Sequence, residues 1–129
     1  MAQVKVYGEK AHLRSVRAAL SDLIHAVNRD VLGLPADKRF HRFIALEAED
    51  FLFPPDRSPA YTIIEISMFE GRDPAIKKAL LKRLMADISE GLGLAPADTE
   101  ITIFETPKAN WGIRGQTGDE LALSYKVEI

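Results

Sequence analysis

The sequence predicts an α/β fold of two tandem βαβ units within a single domain over residues 1–129. The first observation is an internal repeat, because Gly33-Leu34 recurs as Gly93-Leu94 at an offset of 60 residues. The second is that each half passes from strand-like alternation to helical periodicity. The third is a Pro-Ala-Asp turn after each glycine, followed by another strand-like run. The repeated units cover about 2–47 and 62–106.

Each half contains two predicted strands. Val4 and Val6 align with Ile64 and Ile66 at the same offset, and both pairs alternate with other residues as a strand does. The returning strands are predicted over Phe40 to Leu46 and over Glu100 to Glu105.

One amphipathic helix is predicted between the strands of each half. The apolar stripe of the first consists of Leu13, Val16, Leu20, Leu23, Ile24, Val27 and Val31, and that of the second of Ile76, Leu80, Leu84, Ile88 and Leu92. Asp73 and Pro74 predict the start of the second helix, with the aspartate as a side-chain cap. Gly33 and Gly93 are typical of left-handed helix ends.

Two segments lie outside the repeat. The linker from 47 to 61 holds three prolines, and its Phe51–Phe53 run predicts either a short added strand or a loop anchor. The last residues, 121–129, alternate like an edge strand, a type of strand that often pairs with a neighbouring subunit. Strand and helix order alone leaves two architectures open, namely side-by-side βαβ units and the split ferredoxin-like arrangement.

Composition narrows the functional classes. With 47% hydrophobic and 28% charged residues, the chain has the balance of a soluble globular protein. Its lack of cysteine excludes disulfides and thiolate sites and fits a reducing cytoplasm. The net charge of −2 argues against nucleic acid as a partner. The sequence shows no signal peptide and no apolar run long enough for a membrane, so we expect a cytoplasmic protein.

Few residues present a familiar chemical motif. The three histidines have no metal-ligand spacing, no glycine-rich phosphate loop follows a strand, and the serines lack a nucleophile elbow. Arg72 is the exception, since it lies between a strand and a helix start, where an anion is favoured and a guanidinium can hold a carboxylate. The alternative is a surface arginine paired with Asp73 or Glu70.

The chain resembles the tautomerase superfamily, and within it the malonate semialdehyde decarboxylase-like subgroup. The resemblance runs from MAQVKV through GLPADKRF, IIEISMFEGR and GLAPADTEITIFE to Asn110-Trp111-Gly112. It implies side-by-side βαβ units related by a pseudo-two-fold axis. It also implies a homotrimer with active sites near the subunit interfaces, and no cofactor.

The resemblance also implies a catalytic amino-terminal proline, exposed when the initiator methionine is removed. This sequence has Ala2 at that position. If Met1 is removed, the Ala2 amine has an ordinary pKa of roughly 7.7 to 8.0 and can still exchange protons near neutral pH. It lacks the rigidity of the proline ring, so its lone pair is less well positioned.

Further departures concern the rest of the implied site. Lys38, before Arg39, replaces an aspartate that assists the chemistry in decarboxylase-like relatives, and Asp37 is predicted to cap its turn, as is Asp98 in the second half. Arg72 matches one of two implied arginines, while Glu70 stands at the other. Trp111 matches an aromatic residue that walls the pocket.

Two functional hypotheses follow. The first is a non-catalytic or very weakly active homotrimer that binds a small carboxylate through Arg72, Trp111, Lys38 and Arg39. The alternative is an active keto-enol tautomerase of a 2-oxo acid that uses the Ala2 amine.

Overall fold

The computed structural model describes residues 2–123, 126 and 127, and it contains the two predicted βαβ units. The first unit consists of β1 (Ala2–Glu9), α1 (Lys10–Leu32) and β2 (His41–Leu46), and the second of β3 (Thr62–Phe69), α2 (Pro74–Leu92) and β4 (Thr99–Thr106). A short hairpin follows, with strands β5 (Gly112–Ile113) and β6 (Gln116–Thr117). The predicted fold class is confirmed.

The four long strands form one sheet in the order β2-β1-β3-β4. β1 pairs parallel with β2, β3 pairs parallel with β4, and the two units meet through the antiparallel pair of β1 and β3. Val4 lies opposite His41, and Ile64 lies opposite Ile101, so the strand register repeats at the 60-residue offset. Each helix therefore joins two neighbouring parallel strands, which is the side-by-side architecture and not the ferredoxin-like one.

Both helices cover the same face of the sheet and enclose the core. Every second residue of β1 and β3 points to this face because strand side chains alternate. The largest buried side chains are Phe69, Leu13, Leu20, Ile24, Leu32, Ile64, Ile66, Met68, Leu80, Leu84, Ile88 and Val4. Gly33 and Gly93 end the helices with φ angles of 69° and 68°, a left-handed conformation that favours glycine.

The predictions that the Asp73 and Asp98 side chains act as caps are wrong. Asp73 occupies the N-cap position of α2, yet its side chain makes no capping hydrogen bond. Asp98 is buried and accepts hydrogen bonds from the backbone N–H of Ser58 at 2.8 Å and from its hydroxyl at 2.6 Å. Asp37 lies exposed in a turn of the first half. The Pro-Ala-Asp motif recurs at an offset of 61 residues, whereas the strands recur at an offset of 60. Asp37 and Asp98 are therefore not structural equivalents.

The Phe51–Phe53 run is a loop anchor and not a strand. Phe51 stacks on Tyr61 with ring centroids 5.6 Å apart, and Phe53 packs against both rings at 5.6 and 5.5 Å. Arg57 donates to Glu100 at 2.9 Å, and this hydrogen bond holds the pKa of the Glu100 carboxyl below its usual value. The linker is thus fixed at the end of the sheet where β3 and β4 begin.

The tail differs from expectation in one respect. The β5–β6 hairpin lies in a stretch that the sequence suggested only as polar and glycine-bearing. The edge strand predicted over 121–129 includes residues 124, 125, 128 and 129, which lie outside the described residues. Neither described helix is long and apolar enough to cross a membrane.

Candidate functional site

Strand directions bring the predicted site residues to one end of the sheet. Ala2 begins β1 opposite Met68, near the end of the antiparallel strand β3. The segment before β2 lies at this same end, because β2 runs parallel to β1 and the backbone N–H of Val4 donates to the Phe40 carbonyl at 2.9 Å. The segments after β3 and β4 emerge there as well. Residues 38–40, 70–73 and 107–114 are therefore neighbours in space.

A cavity of about 280 Å³ lies among these segments. Its lining combines three large apolar side chains, two cations and one amide, and consists of Gln3, Lys38, Phe40, Trp111, Gly112, Ile113 and Arg114. None of the described residues that line it is acidic. A site with flat apolar walls and positive groups can hold a small organic anion, with its carboxylate at the cations and its body against the rings.

Trp111 is held in place by the end of β3. Its ring packs edge to face on Phe69 with centroids 5.2 Å apart, and its carbonyl accepts a hydrogen bond from the backbone N–H of Gly118 at 2.7 Å. A β-carbon at Gly118 would lie 2.5 Å from the Lys108 carbonyl oxygen and 2.9 Å from the Phe69 ring. Only glycine at position 118 allows the backbone to come this close to Lys108 and Phe69. Residues 108–118 therefore pack tightly together beside the cavity.

Lys38 is carried by a tight turn between α1 and β2. Its backbone N–H donates to the Pro35 carbonyl at 3.1 Å. Within the same turn, the Ala36 carbonyl oxygen lies 2.8 Å from Nε2 of the buried His25 on α1. The described residues place no carboxylate within ion-pair distance of the Lys38 ammonium group. This cation is thus available to a ligand in the cavity.

Arg39 points to a neighbouring cavity. Its guanidinium forms an ion pair with Asp22 of α1 at 2.6 Å. It lines a second cavity of about 320 Å³, together with Gln3, Phe40, His41 and Arg42. The structure therefore separates Arg39 from Lys38, although the two cavities share the side chains of Gln3 and Phe40.

His41 is neutral at ordinary pH. Its Nδ1 lies 2.8 Å from the Ser21 hydroxyl, and its ring meets His25 edge to face with centroids 6.3 Å apart. Burial, with smaller contributions from the positive charge of Arg39 and from the nearby His25, lowers the pKa of His41 to about 4. This hydrogen bond between Ser21 and His41 joins α1 to the start of β2.

Arg72 is not a surface residue. It is 3% exposed, and its Nη1 lies 3.5 Å from the Phe69 carbonyl oxygen, a long contact. The alternative of a surface arginine is therefore wrong. Arg72 is not among the residues that line the cavity with Trp111, and the two connect through Phe69.

Ala2 is adjacent to the cavity through the backbone. Its methyl group lies on the helix-covered face and is 4% exposed. Gln3 points to the opposite face and lines both cavities. Of the five predicted site residues, the structure thus brings Lys38 and Trp111 into one cavity and Arg39 into the next. Ala2 and Arg72 line neither cavity.

Sequence reasoning missed several lining residues. Gln3 belongs to no recognisable motif and gave no signal. Phe40 ends the GLPADKRF motif, but nothing in that motif indicated that its ring shares a cavity with Trp111, 71 residues further along the chain. Arg114 did offer a signal. Arg114-Gly115 forms the two-residue turn of the β5–β6 hairpin, and a glycine in such a pair is typical of hairpin turns.

Comparisons with known proteins agree with this geometry. Residues 38–114 match the family model described as tautomerase enzyme. A 2-hydroxymuconate tautomerase of Pseudomonas putida is 40% identical over 57 residues, which are 90% of that protein and 44% of this chain. A 2-hydroxymuconate tautomerase of Comamonas testosteroni is 37% identical over the same length. The matched length of 57 residues is close to the 60-residue repeat of this chain.

Solved structures match the whole arrangement. A fused 4-OT, solved as an asymmetric trimer, is 27% identical, with a TM-score of 0.78 over 91% of this chain and 96% of that one. A malonate semialdehyde decarboxylase inhibited by 3-bromopropiolate is 24% identical, with a TM-score of 0.80 over 94% of this chain and 98% of that one. At this identity the decarboxylase shows a shared fold.

Proposed function

The chain belongs to the tautomerase enzyme family, and from this premise we propose that it binds a small carboxylate and has little or no tautomerase activity of its own. The observation that carries the proposal is the cavity lined by Lys38, Phe40, Trp111 and Arg114. Its described lining combines two positive side chains with aromatic walls and includes no acidic residue. A 2-oxo acid or an enol acid with a flat body suits this lining.

The residues take different roles in this proposal. Lys38 contacts the carboxylate and Trp111 forms one wall of the cavity. Arg39 binds more weakly, because Asp22 already neutralises part of its charge at 2.6 Å. Arg72 supports the site indirectly, since its guanidinium contacts the Phe69 carbonyl and the Phe69 ring packs against Trp111.

Ala2 is the reason for proposing weak or absent catalysis. The family resemblance assigns a catalytic proline to this position, and alanine lacks its ring. A flexible primary amine directs its lone pair less precisely, and imprecise placement is costly in rate. We therefore expect the protein to bind the ligand but to catalyse little proton transfer.

An active keto-enol tautomerase is the second candidate. The 40% identity to a 2-hydroxymuconate tautomerase favours it. In this case Met1 is removed, and the Ala2 amine moves a proton between oxygen and carbon of an enol acid. The neighbouring Lys38 would favour the neutral amine, the form that acts as a base.

Trimeric relatives of the same fold support a homotrimer for this chain. Light scattering at micromolar concentration tests that proposal, and a monomer contradicts it.

Calorimetric titration tests carboxylate binding. Phenylpyruvate should bind the wild-type protein and its neutral methyl ester should not. Lys38→Ala should weaken binding by about fivefold to tenfold, as expected for loss of one partly exposed ionic contact. Lys82→Ala, on an exposed face of α2, is the matched control. Equal affinity for acid and ester, or for wild type and Lys38→Ala, overturns the proposal.

Catalysis is tested separately. Intact mass establishes whether Met1 is present, and the ketonisation rate of phenylenolpyruvate is compared between wild type and Ala2→Pro. We expect a wild-type rate near background and a clear gain in Ala2→Pro. A wild-type rate well above background, with Met1 removed, favours the active tautomerase instead.

A further inference from the structure

The turn of the β5–β6 hairpin places an arginine in an unfavourable backbone conformation. Arg114 has a φ of 51°, and it is the one residue other than glycine with a positive φ among those that the structure describes. Its neighbour Gly115 has a φ of 80°. Two consecutive positive φ angles are what a tight hairpin turn of this type requires, and glycine or asparagine normally fills the first position. A β-carbon there costs stability.

No side chain in the described part of the structure pairs with Arg114 to offset this cost. Its guanidinium forms no hydrogen bond or ion pair with any residue in the described part of the chain. Arg39, Arg57 and Arg83 differ, because each pairs with an acidic side chain within about the length of a hydrogen bond. Glu120 lies near the hairpin and lines a shallow hollow with Arg114, yet the two form no ion pair.

The same residue lines the candidate site. Arg114 and Lys38 belong to the lining of one cavity, although 76 residues separate them in the chain. Lys38 comes from the turn before β2, and Arg114 comes from the hairpin after β4. The two cations come from opposite edges of the sheet and have no acidic partner among the described residues. The described lining of the cavity that they share contains no acidic residue either. An anion between them would be attracted from both sides.

We propose that Arg114 is a second carboxylate-binding residue of this cavity, held there by the hairpin at the expense of backbone strain. The inference rests on the proposed carboxylate-binding function and names the group that strengthens it. Arg114 contacts the carboxylate, and the body of the ligand lies against Trp111 and Phe40. The residue thus improves binding while it destabilises the fold.

Three substitutions separate charge from strain. Arg114→Gly removes both, Arg114→Ala removes the charge and keeps the β-carbon, and Arg114→Lys keeps both. Phenylpyruvate affinity, measured by calorimetry, should fall about fivefold to tenfold in the glycine and alanine variants and far less in the lysine variant. The thermal midpoint should rise or stay level in Arg114→Gly and change little in the other two. Lys82→Ala again serves as the distant control.

The outcomes distinguish this inference from the function on which it rests. If the wild type binds phenylpyruvate and Lys38→Ala weakens it, while all three Arg114 variants bind as the wild type does, the cavity stands and the role of Arg114 is wrong. A drop in both affinity and thermal midpoint in Arg114→Gly also overturns the inference, because it shows a structural role. If the wild type binds no phenylpyruvate, the function and the inference fail together.

Discussion

Trp111 packs edge to face on Phe69, with ring centroids 5.2 Å apart, and this contact ties the segment after β4 to the end of β3. The two rings are 42 residues apart in the chain. Phe69 is fully buried, whereas Trp111 is half-buried and turns its other side to the cavity. One wall of the candidate site is therefore also a structural support.

Trp111→Ala should lower both stability and ligand affinity. Loss of a half-buried indole should cost about 2–3 kcal/mol of unfolding free energy, somewhat less than the loss of a fully buried aromatic residue. Trp111→Phe keeps an edge-to-face ring and should cost less than half as much. Urea denaturation followed by circular dichroism measures the stability. Unchanged stability in Trp111→Ala would show that the contact with Phe69 contributes nothing.

Gly118→Ala should destabilise the protein by about 1–3 kcal/mol, as overpacking generally does. The added methyl group would lie 2.5 Å from the Lys108 carbonyl oxygen, a backbone atom that cannot rotate away. Gly112→Ala is the matched control, since a β-carbon at Gly112 meets nothing within 4 Å. Thermal denaturation of both variants provides the comparison. Equal midpoints for the two would contradict the close packing at Gly118.

Asp98→Ala should cost about 3 kcal/mol of stability, because it leaves the backbone N–H and the hydroxyl of Ser58 without their buried acceptor. Asp37→Ala, at the exposed turn of the first half, should change stability by no more than about 0.5 kcal/mol. Chemical denaturation distinguishes the two. A similar loss in both variants would mean that the aspartates have equivalent roles after all.

His41 should make the protein sensitive to mild acid. Its pKa is lowered to about 4 in the folded state from 6.5, so the unfolded chain binds about one proton more between these values. Stability is therefore complete above pH 6.5 and falls as the pH decreases toward 4. His41→Gln should show a smaller loss of thermal midpoint between pH 7 and pH 4.5. Parallel curves for wild type and variant would exclude this histidine as the cause.

Much of the fold could be predicted from local pattern. The strand alternation around Val4 and Ile64, the helical stripes and the glycines at 33 and 93 all concern hydrogen bonds or side-chain directions within a few residues. Such features repeat wherever the sequence repeats. They could not predict the hydrogen bonds of Asp98, because its partner is Ser58, which lies in the linker between the halves and has no counterpart in the first half.

The site was less predictable for the same reason. Lys38 and Trp111 were identified through a family resemblance, and the structure brings them into one cavity. Arg39 was expected beside Lys38, but its guanidinium pairs with Asp22 across α1. Neighbouring residues can face different cavities when each finds its partner on a different element, and no local pattern encodes that choice.

The sequence by itself determined two βαβ units, their 60-residue spacing and their apolar faces, because hydrogen-bond periodicity and hydrophobic alternation are properties of short segments. The tertiary structure alone decided that β1 pairs antiparallel with β3 and that Arg72 is buried. It also decided that Gln3, Lys38 and Arg114 share a cavity. These relationships join residues far apart in the chain, and they follow from which surfaces pack together to exclude water.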